Sequence, residues 1–289
     1  MRIRIRMRIH RVVTAFLLAL LLSGCGRKDG KPSGAGKPER FYSTSTAATC
    51  LLLRLGAGNR LAAIGRYSRI VPGAKRIPVA GSGSSVSLET LAALGVNRAF
   101  VWHYQTGLKQ RLERRGIKVT AIPAVRLAGY PELVRMVAAA AGKSKEGEVL
   151  IAEFRKSLKQ AAATSQTTGR RPRVYFELYS PFRCAGGNSY LGDLLELAGG
   201  DNIETAVSVS GPVDPEWVIR SAPEVILFMK DATTREAIAR RPGFARLPAV
   251  REGRIFAVDR AKVLEGADPS ESAKYLRGLL TPPAKAKAR

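Results

Sequence analysis

Histidine is nearly missing from this chain of 289 residues, which has only His10 and His103. Acid is scarce too, with 23 Asp and Glu against 48 Lys and Arg, for a net charge of +25. Cysteine occurs three times and tryptophan twice. Each shortage excludes something. So few histidines cannot build a multi-histidine site for a bare transition-metal ion, and they leave little for general acid–base catalysis. No Gly-x-Ser-x-Gly or His-Glu-x-x-His stretch is present, so two common hydrolase frameworks are missing. Gly81-Ser82-Gly83-Ser84-Ser85 lacks both the Gly-Lys-Ser/Thr ending of a phosphate loop and the third glycine of a dinucleotide fingerprint. The apolar run at residues 12–22 is too short to span a bilayer, which takes ~20 residues. Nothing here reads as an enzyme.

What is present begins with an export signal. Arg2, Arg4, Arg6, Arg8 and Arg11 precede the apolar run, which ends in Leu22-Ser23-Gly24-Cys25. Small residues before a cysteine at that place resemble a bacterial lipobox. The resemblance implies cleavage after residue 24, lipidation of Cys25 and anchorage to a membrane. Gly26 follows, with no aspartate there to suggest retention at the inner membrane. Residues 25–37 are a Gly/Pro/Ser/Lys tether. Loss of residues 1–24 removes five arginines and leaves +20. Those charges are spread along the chain without a nucleic-acid-binding motif, so anionic headgroups or an anionic ligand are the expected partners. Biased composition alone would also produce them. Cys50 and Cys184 fall in different halves of the chain, and both are expected to be free.

Residues 143–168 carry the longest helical pattern. Leu150, Phe154 and Leu158 recur at i, i+4 and i+8, widened by Ile151 and Ala161, with charges on the other faces. Similar segments flank it. RFYST and SLETLAALGVNRAFVW come before, and RVYFELY and DPEWVIRSAPEVILF after. Each half alternates strand and helix through connections too long for hairpins, which argues for parallel sheets. The expected fold class is α/β, with two α/β lobes of mainly parallel sheets joined by one long interdomain helix and a ligand cleft between them. The expected boundaries are an N-terminal lobe at 38–142, the bridging helix at 143–168, a C-terminal lobe at 169–281 and a disordered tail at 282–289. Ser87, Asp214 before Pro215, and Asp268 before Pro269 are helix starts. Residues 179–189 read as a loop.

Five segments in order then carry a family resemblance. They are Arg40-Phe41-Tyr42-Ser43-Thr44-Ser45-Thr46 with Leu55-Gly56-Ala57-Gly58; Ile77-Pro78-Val79-Ala80-Gly81; Leu88-Glu89-Thr90-Leu91-Ala92-Ala93-Leu94; Leu194-Leu195-Glu196-Leu197-Ala198-Gly199-Gly200-Asp201-Asn202-Ile203; and Pro215-Glu216 with Ala222-Pro223-Glu224-Val225-Ile226. Together they resemble the substrate-binding proteins of ABC importers for cobalamin, ferric siderophores and haem, over roughly residues 37–259. The chain departs at Thr46, usually proline, at Cys50, usually glutamate, and at Val96-Asn97, usually Pro-Asp.

The resemblance implies a monomeric, extracytoplasmic receptor without a resident cofactor. It would deliver a metal chelate (corrinoid, ferric siderophore or haem) to a permease dimer with its ATPase. Glu89 and Glu216 would dock into arginine pockets of the permease, although stabilisation by the helix dipole alone would also place acids there. Open α/β sheets bind ligands beyond the carboxyl ends of their strands. That rule puts Thr44, Ser45, His103, Tyr104, Tyr179, Arg183, Ser189 and Lys230 at the ligand. Tyrosines offer flat apolar faces with a polar tip, and Arg183 and Lys230 could meet ligand carboxylates or a catecholate. His103 could supply one axial ligand to a chelated metal or only a hydrogen bond. Two alternatives from other classes remain: a ligand-sensing lipoprotein coupled to a signalling partner, and an enzyme.

Overall fold

The computed structural model describes residues 38–164, 170–206 and 209–281. The signal segment, Cys25, the tether, the tail and residues 165–168 of the expected bridging helix lie outside these. In chain order, the first half contains β1 (Phe41–Ser43), α1 (Thr46–Arg54), β2 (Leu61–Ile64), α2 (Leu88–Ala93), β3 (Arg98–Trp102), α3 (Thr106–Glu113), β4 (Lys118–Ile122) and α4 (Tyr130–Ala140). Its four strands pair in the order β2-β1-β3-β4, all parallel.

A parallel sheet covered by helices is buried on both faces, so its strands run apolar without a polar side. The pleat then sends alternate residues to different cores. Phe41 and Phe100 join α1 and α4 on one face. Tyr42, Ala99 and Val101 join α2 and α3 on the other.

The helix α5 (Ser144–Thr164) leads to the second half. There follow β5 (Arg173–Glu177), β6 (Arg183–Ala185), α6 (Tyr190–Leu197), β7 (Asp201–Asn202), β8 (Ser210–Pro212), α7 (Pro215–Ser221), β9 (Val225–Met229), α8 (Arg235–Ala239), α9 (Pro248–Arg251), β10 (Ile255–Val258) and α10 (Pro269–Leu280). The second sheet runs β10-β9-β5-β6-β8, with β7 also paired to β5. It is mixed, because β6 lies antiparallel to both β5 and β8. The loop expected at residues 179–189 is therefore a tight return followed by a strand. Its turn holds Phe182 at φ 56°, a backbone region that side chains disfavour.

A buried network supports that turn. Glu177 accepts from the Phe182 backbone N–H at 3.0 Å, from the Tyr175 hydroxyl at 2.9 Å and from both Arg241 amino groups at 2.6 and 2.8 Å. The Arg241 guanidinium also lies over the Phe182 ring, 4.7 Å from its centroid.

The helix α5 packs as its periodicity predicts. Leu150, Ile151, Phe154 and Ala161 enter a core that also holds Phe41 and Phe100 from the first sheet and Val174, Phe176 and Leu227 from the second. Leu158 packs against it half-buried. One hydrophobic core thus runs through both halves. The contact with α4 is close: a Cβ added to Gly147 would sit 2.7 Å from the Ala138 Cβ. Toward the second half, buried Ser157 bonds to Asp268, the residue that caps α10.

Candidate functional site

β1 ends at Ser43, and the chain turns at once into α1. That economy uses up the polar run Ser43–Thr46 internally. The Ser45 hydroxyl accepts from the Ala48 N–H as N-cap, and Ser45 is fully buried. Thr49 donates to the Ser43 hydroxyl at 2.9 Å and lies 3.2 Å from the Ser68 hydroxyl. Thr44 is 4% exposed and its hydroxyl donates to the Gln105 side-chain Oε1 at 2.6 Å. Ser189, 5% exposed, caps α6 through the Gly192 N–H. All three hydroxyls are therefore turned inward, Thr44 toward Gln105 and Ser45 and Ser189 onto the starts of α1 and α6. A hydroxyl that caps a helix spends one of its two acceptor positions on a backbone N–H.

The aromatic expectation fares differently. β3 delivers Trp102, His103 and Tyr104 to its carboxyl end, and Tyr104 stands 66% exposed. Its ring stacks on Trp102 with centroids 6.1 Å apart and meets His103 edge-on at 5.4 Å. His103 is exposed, with Nδ1 3.3 Å from the Ile122 carbonyl. Partial burial raises the Tyr104 phenol above its ordinary range, and the nearby Tyr179, Glu265 and Tyr67 raise it further. Tyr67 and Tyr179 are also exposed, at 64% and 56%. Tyrosines from both halves therefore converge beyond the carboxyl ends of β2, β3 and β5. Tyr67 had the same signal as Tyr104, a loop position just past a strand. Glu265 had none.

On the second half, the Tyr179 hydroxyl lies 3.1 Å from the Ser210 hydroxyl. The Arg183 guanidinium sits 6.0 Å from the Tyr179 ring centroid and donates to the Ser210 carbonyl. Lys230 is exposed but pairs with Asp259 at 2.9 Å, which lowers the aspartate and raises the lysine. Its charge is already partly committed. At one edge of the seam between the halves, Arg126 pairs with Asp193, bonds to Asn188 and precedes Leu127, whose N–H also donates to Asp193.

Glu89 and Glu216 are exposed, each in the first turn of its helix after Ser87 or Asp214. A backbone hydrogen bond and the Ser87 hydroxyl hold the Glu89 carboxyl below its usual range, with Arg115 and Arg111 nearby. Beside Glu216 is a recess of about 420 Å³, lined also by Ile219, Pro242, Gly243, Ala245 and Arg246. Cys50 and Cys184 are free and buried. Among the described residues, no cluster of His, Cys, Asp and Glu could hold a metal ion, and no helix is long and apolar enough to cross a membrane.

Two α/β halves, one long helix between them and exposed tyrosines gathered at the strand ends describe a bilobed binding-protein fold. Residues 42–261 match the periplasmic binding protein family, and the chain belongs to it. It is 24% identical over 236 residues to a cobalamin-binding protein of Halobacterium salinarum, covering 77% of this chain and 64% of that one. It is also 24% identical over 197 residues to a vitamin B12-binding protein of Pectobacterium carotovorum subsp. carotovorum, covering 66% and 71%. The fold is similar to the periplasmic haem-binding protein RhuT from Roseiflexus sp. RS-1 in apo form, with TM-score 0.74, 21% identity, and coverage of 84% and 99%. The vitamin B12-binding protein BtuF of Vibrio cholerae gives TM-score 0.67, 19% identity, and coverage of 84% and 96%. The family and these structures are binding proteins, and membership implies an extracytoplasmic place of work.

Proposed function

We propose that the protein is a lipid-anchored receptor, attached through Cys25, that captures a corrinoid and hands it to an ABC permease. The observation carrying this reading is the convergence of Tyr67, Tyr104 and Tyr179 from the two halves of a periplasmic binding protein. Exposed rings cost hydration where they stand, and a large flat macrocycle would cover them. The cobalamin-binding relatives favour a corrinoid as that macrocycle. Arg183 would meet a polar edge of the ligand, and His103 would hydrogen-bond it. Glu89 and Glu216, one on each half, would dock the two permease subunits, with the recess beside Glu216 taking a side chain of the partner. In this reading the protein binds and releases and performs no chemistry.

Haem is the second reading, favoured by the phenol of Tyr104 beside His103, which could ligate an iron, and by the likeness to RhuT. Absorption spectra of the purified protein titrated with cyanocobalamin, hemin and a ferric catecholate distinguish these. Cyanocobalamin is expected to bind with its corrin bands shifted, and Tyr104→Ala or Tyr179→Ala to weaken it at least tenfold. Saturable binding of hemin with a new charge-transfer band, and none of cyanocobalamin, would overturn the corrinoid.

A further inference from the structure

The longest stretch of the chain without an acid runs from residue 40 to residue 88, and it holds seven cations. Three of the seven are engaged inside the fold. Arg40 donates to the Leu94 carbonyl at 2.6 Å, Arg54 to the Gly266 carbonyl at 2.5 Å, and Arg60 pairs with Glu39. The other four, Arg66, Arg69, Lys75 and Arg76, follow one another on the connection from β2 to α2. All four are exposed, and among the described residues none of them forms an ion pair or a side-chain hydrogen bond.

Backbone and packing hold this connection in place. The Gly65 N–H donates to the Ser43 carbonyl at 2.7 Å, and the Arg66 N–H to the Ser82 hydroxyl at 2.9 Å. Ser68, Val71 and Ala74 recur every third residue and are buried. Ser68 sits against the Thr49 hydroxyl, and the two apolar residues enter the core shared by both halves. Backbone bonds link the three in turn, from the Val71 N–H to Ser68 at 3.1 Å and from the Ala74 N–H to Val71 at 3.0 Å. With these anchors turned inward, Arg66, Tyr67, Arg69, Lys75 and Arg76 are left facing solvent. In and just after α7, α8 and α9 there are also exposed arginines, Arg220, Arg235, Arg240 and Arg251. Acids alternate with those, at Glu216, Glu236 and Glu252.

Four unpaired cations without an acid among them fix the sign of the partner. Each can reach a separate anion, so their spacing suits an extended array of phosphates better than one small ligand. Membership of the family places the protein outside the cytoplasm, where the anionic surface at hand is a membrane. Tyr67, 64% exposed in their midst, is of a residue type enriched at the headgroup level of bilayers. We propose that the connection from β2 to α2 is a membrane-contacting surface that binds anionic phospholipid headgroups. This goes beyond the receptor reading and does not depend on its cargo. The connection starts at the carboxyl end of β2, so its contact would turn the strand ends and their tyrosines toward the bilayer in which a permease would sit.

The test is sedimentation with vesicles, using the mature chain from residue 25 with Cys25→Ser so that no acyl chain contributes. Vesicles contain phosphatidylcholine alone or with 30% phosphatidylglycerol, in 50 mM or 500 mM salt. The protein should bind the anionic vesicles at low salt. It should lose at least tenfold on neutral vesicles, and as much at high salt, where screening shortens the reach of each charge. A basic residue at an anionic surface contributes about fivefold, so Arg66→Gln, Arg69→Gln, Lys75→Gln and Arg76→Gln combined should weaken binding at least thirtyfold. Arg220→Gln, Arg235→Gln, Arg240→Gln and Arg251→Gln remove the same charge elsewhere and should stay within about threefold of wild type. Equal losses for the two quadruple variants would overturn the proposal in favour of net charge alone. No preference of the wild type for anionic vesicles would overturn it too, and would point to an acidic protein as the partner. The side chains changed are exposed, so folding is not at stake, and the wild-type comparison of lipids and salts needs no variant. No cargo enters the assay, so its failure leaves the corrinoid reading to its own test.

Discussion

At the scale of single residues, the seam and the hairpin hold charge in places where water cannot help. Glu265 is the clearer case, an acid whose folded pKa lies above its unfolded value. Burial pushes its carboxyl up to about 7, so the native state holds more protons than the unfolded state between about pH 4.3 and 7. Stability from this group is complete below that window, falls as pH rises through it and is level above. Thermal unfolding at pH 5 and pH 8 should therefore show Glu265→Gln gaining on wild type at the higher pH; equal differences at both would mean that the carboxyl is solvated. Glu177 is the opposite design, a fully buried carboxylate whose charge Arg241 matches. Truncating the arginine strands that charge, which costs about 3–5 kcal/mol. Urea denaturation of Arg241→Ala should show a loss of that size. A loss under 1 kcal/mol would indicate that the hairpin opens to water instead.

At the scale of elements, the long helix and the second-half hairpin do different work. The helix binds the halves through Leu150, Ile151, Phe154 and Ala161, and it approaches α4 closely only because Gly147 has no side chain. Gly147→Leu must separate the two helices or distort them, since overpacking of this kind typically costs 1–3 kcal/mol. Melting temperature is the readout, and an unchanged value would show that the helices have room to give. The hairpin carries Tyr179 and Arg183, both beside Ser210. Its β6 strand was hidden in the sequence because residues 179–189 contain Pro181 and a Gly186-Gly187 pair, which read as loop. Only the antiparallel neighbours β5 and β8 make three of those residues a strand.

At the scale of the whole molecule, one core shared by both sheets argues for a stiff body with a small shift between halves on binding. Such a body would hold Glu89 and Glu216 at a fixed separation, as the proposed docking to two permease subunits would require. The Glu89→Arg, Glu216→Arg double variant should lose uptake in cells while its affinity for ligand in vitro stays within about twofold. Uptake at the wild-type rate would dismiss the docking role. Both side chains are exposed and make no buried contact, so folding is not at stake.

Period, capping and order of segments were written in the chain. A 3.6-residue stripe placed the long helix, Ser87, Asp214 and Asp268 stand at their helix starts, and alternating β and α gave the parallel first sheet. Those features are local, so propensity and spacing suffice to read them. Two of the tyrosines that gather at the strand ends were legible too. Tyr104 and Tyr179 lie just past strand ends, and that position is visible without coordinates. Whether a hydroxyl beside them is free depends on what the next turn of backbone demands, and for Ser45 and Ser189 the demand was a helix cap. Glu265 gave no sign at all. It lies near enough to Tyr130 and Tyr190, 135 and 75 positions earlier in the chain, to raise their phenols, and Gly266 beside it packs against Cys50 and Tyr130. Contacts so remote in sequence carry no periodicity, and only the tertiary fold decides them.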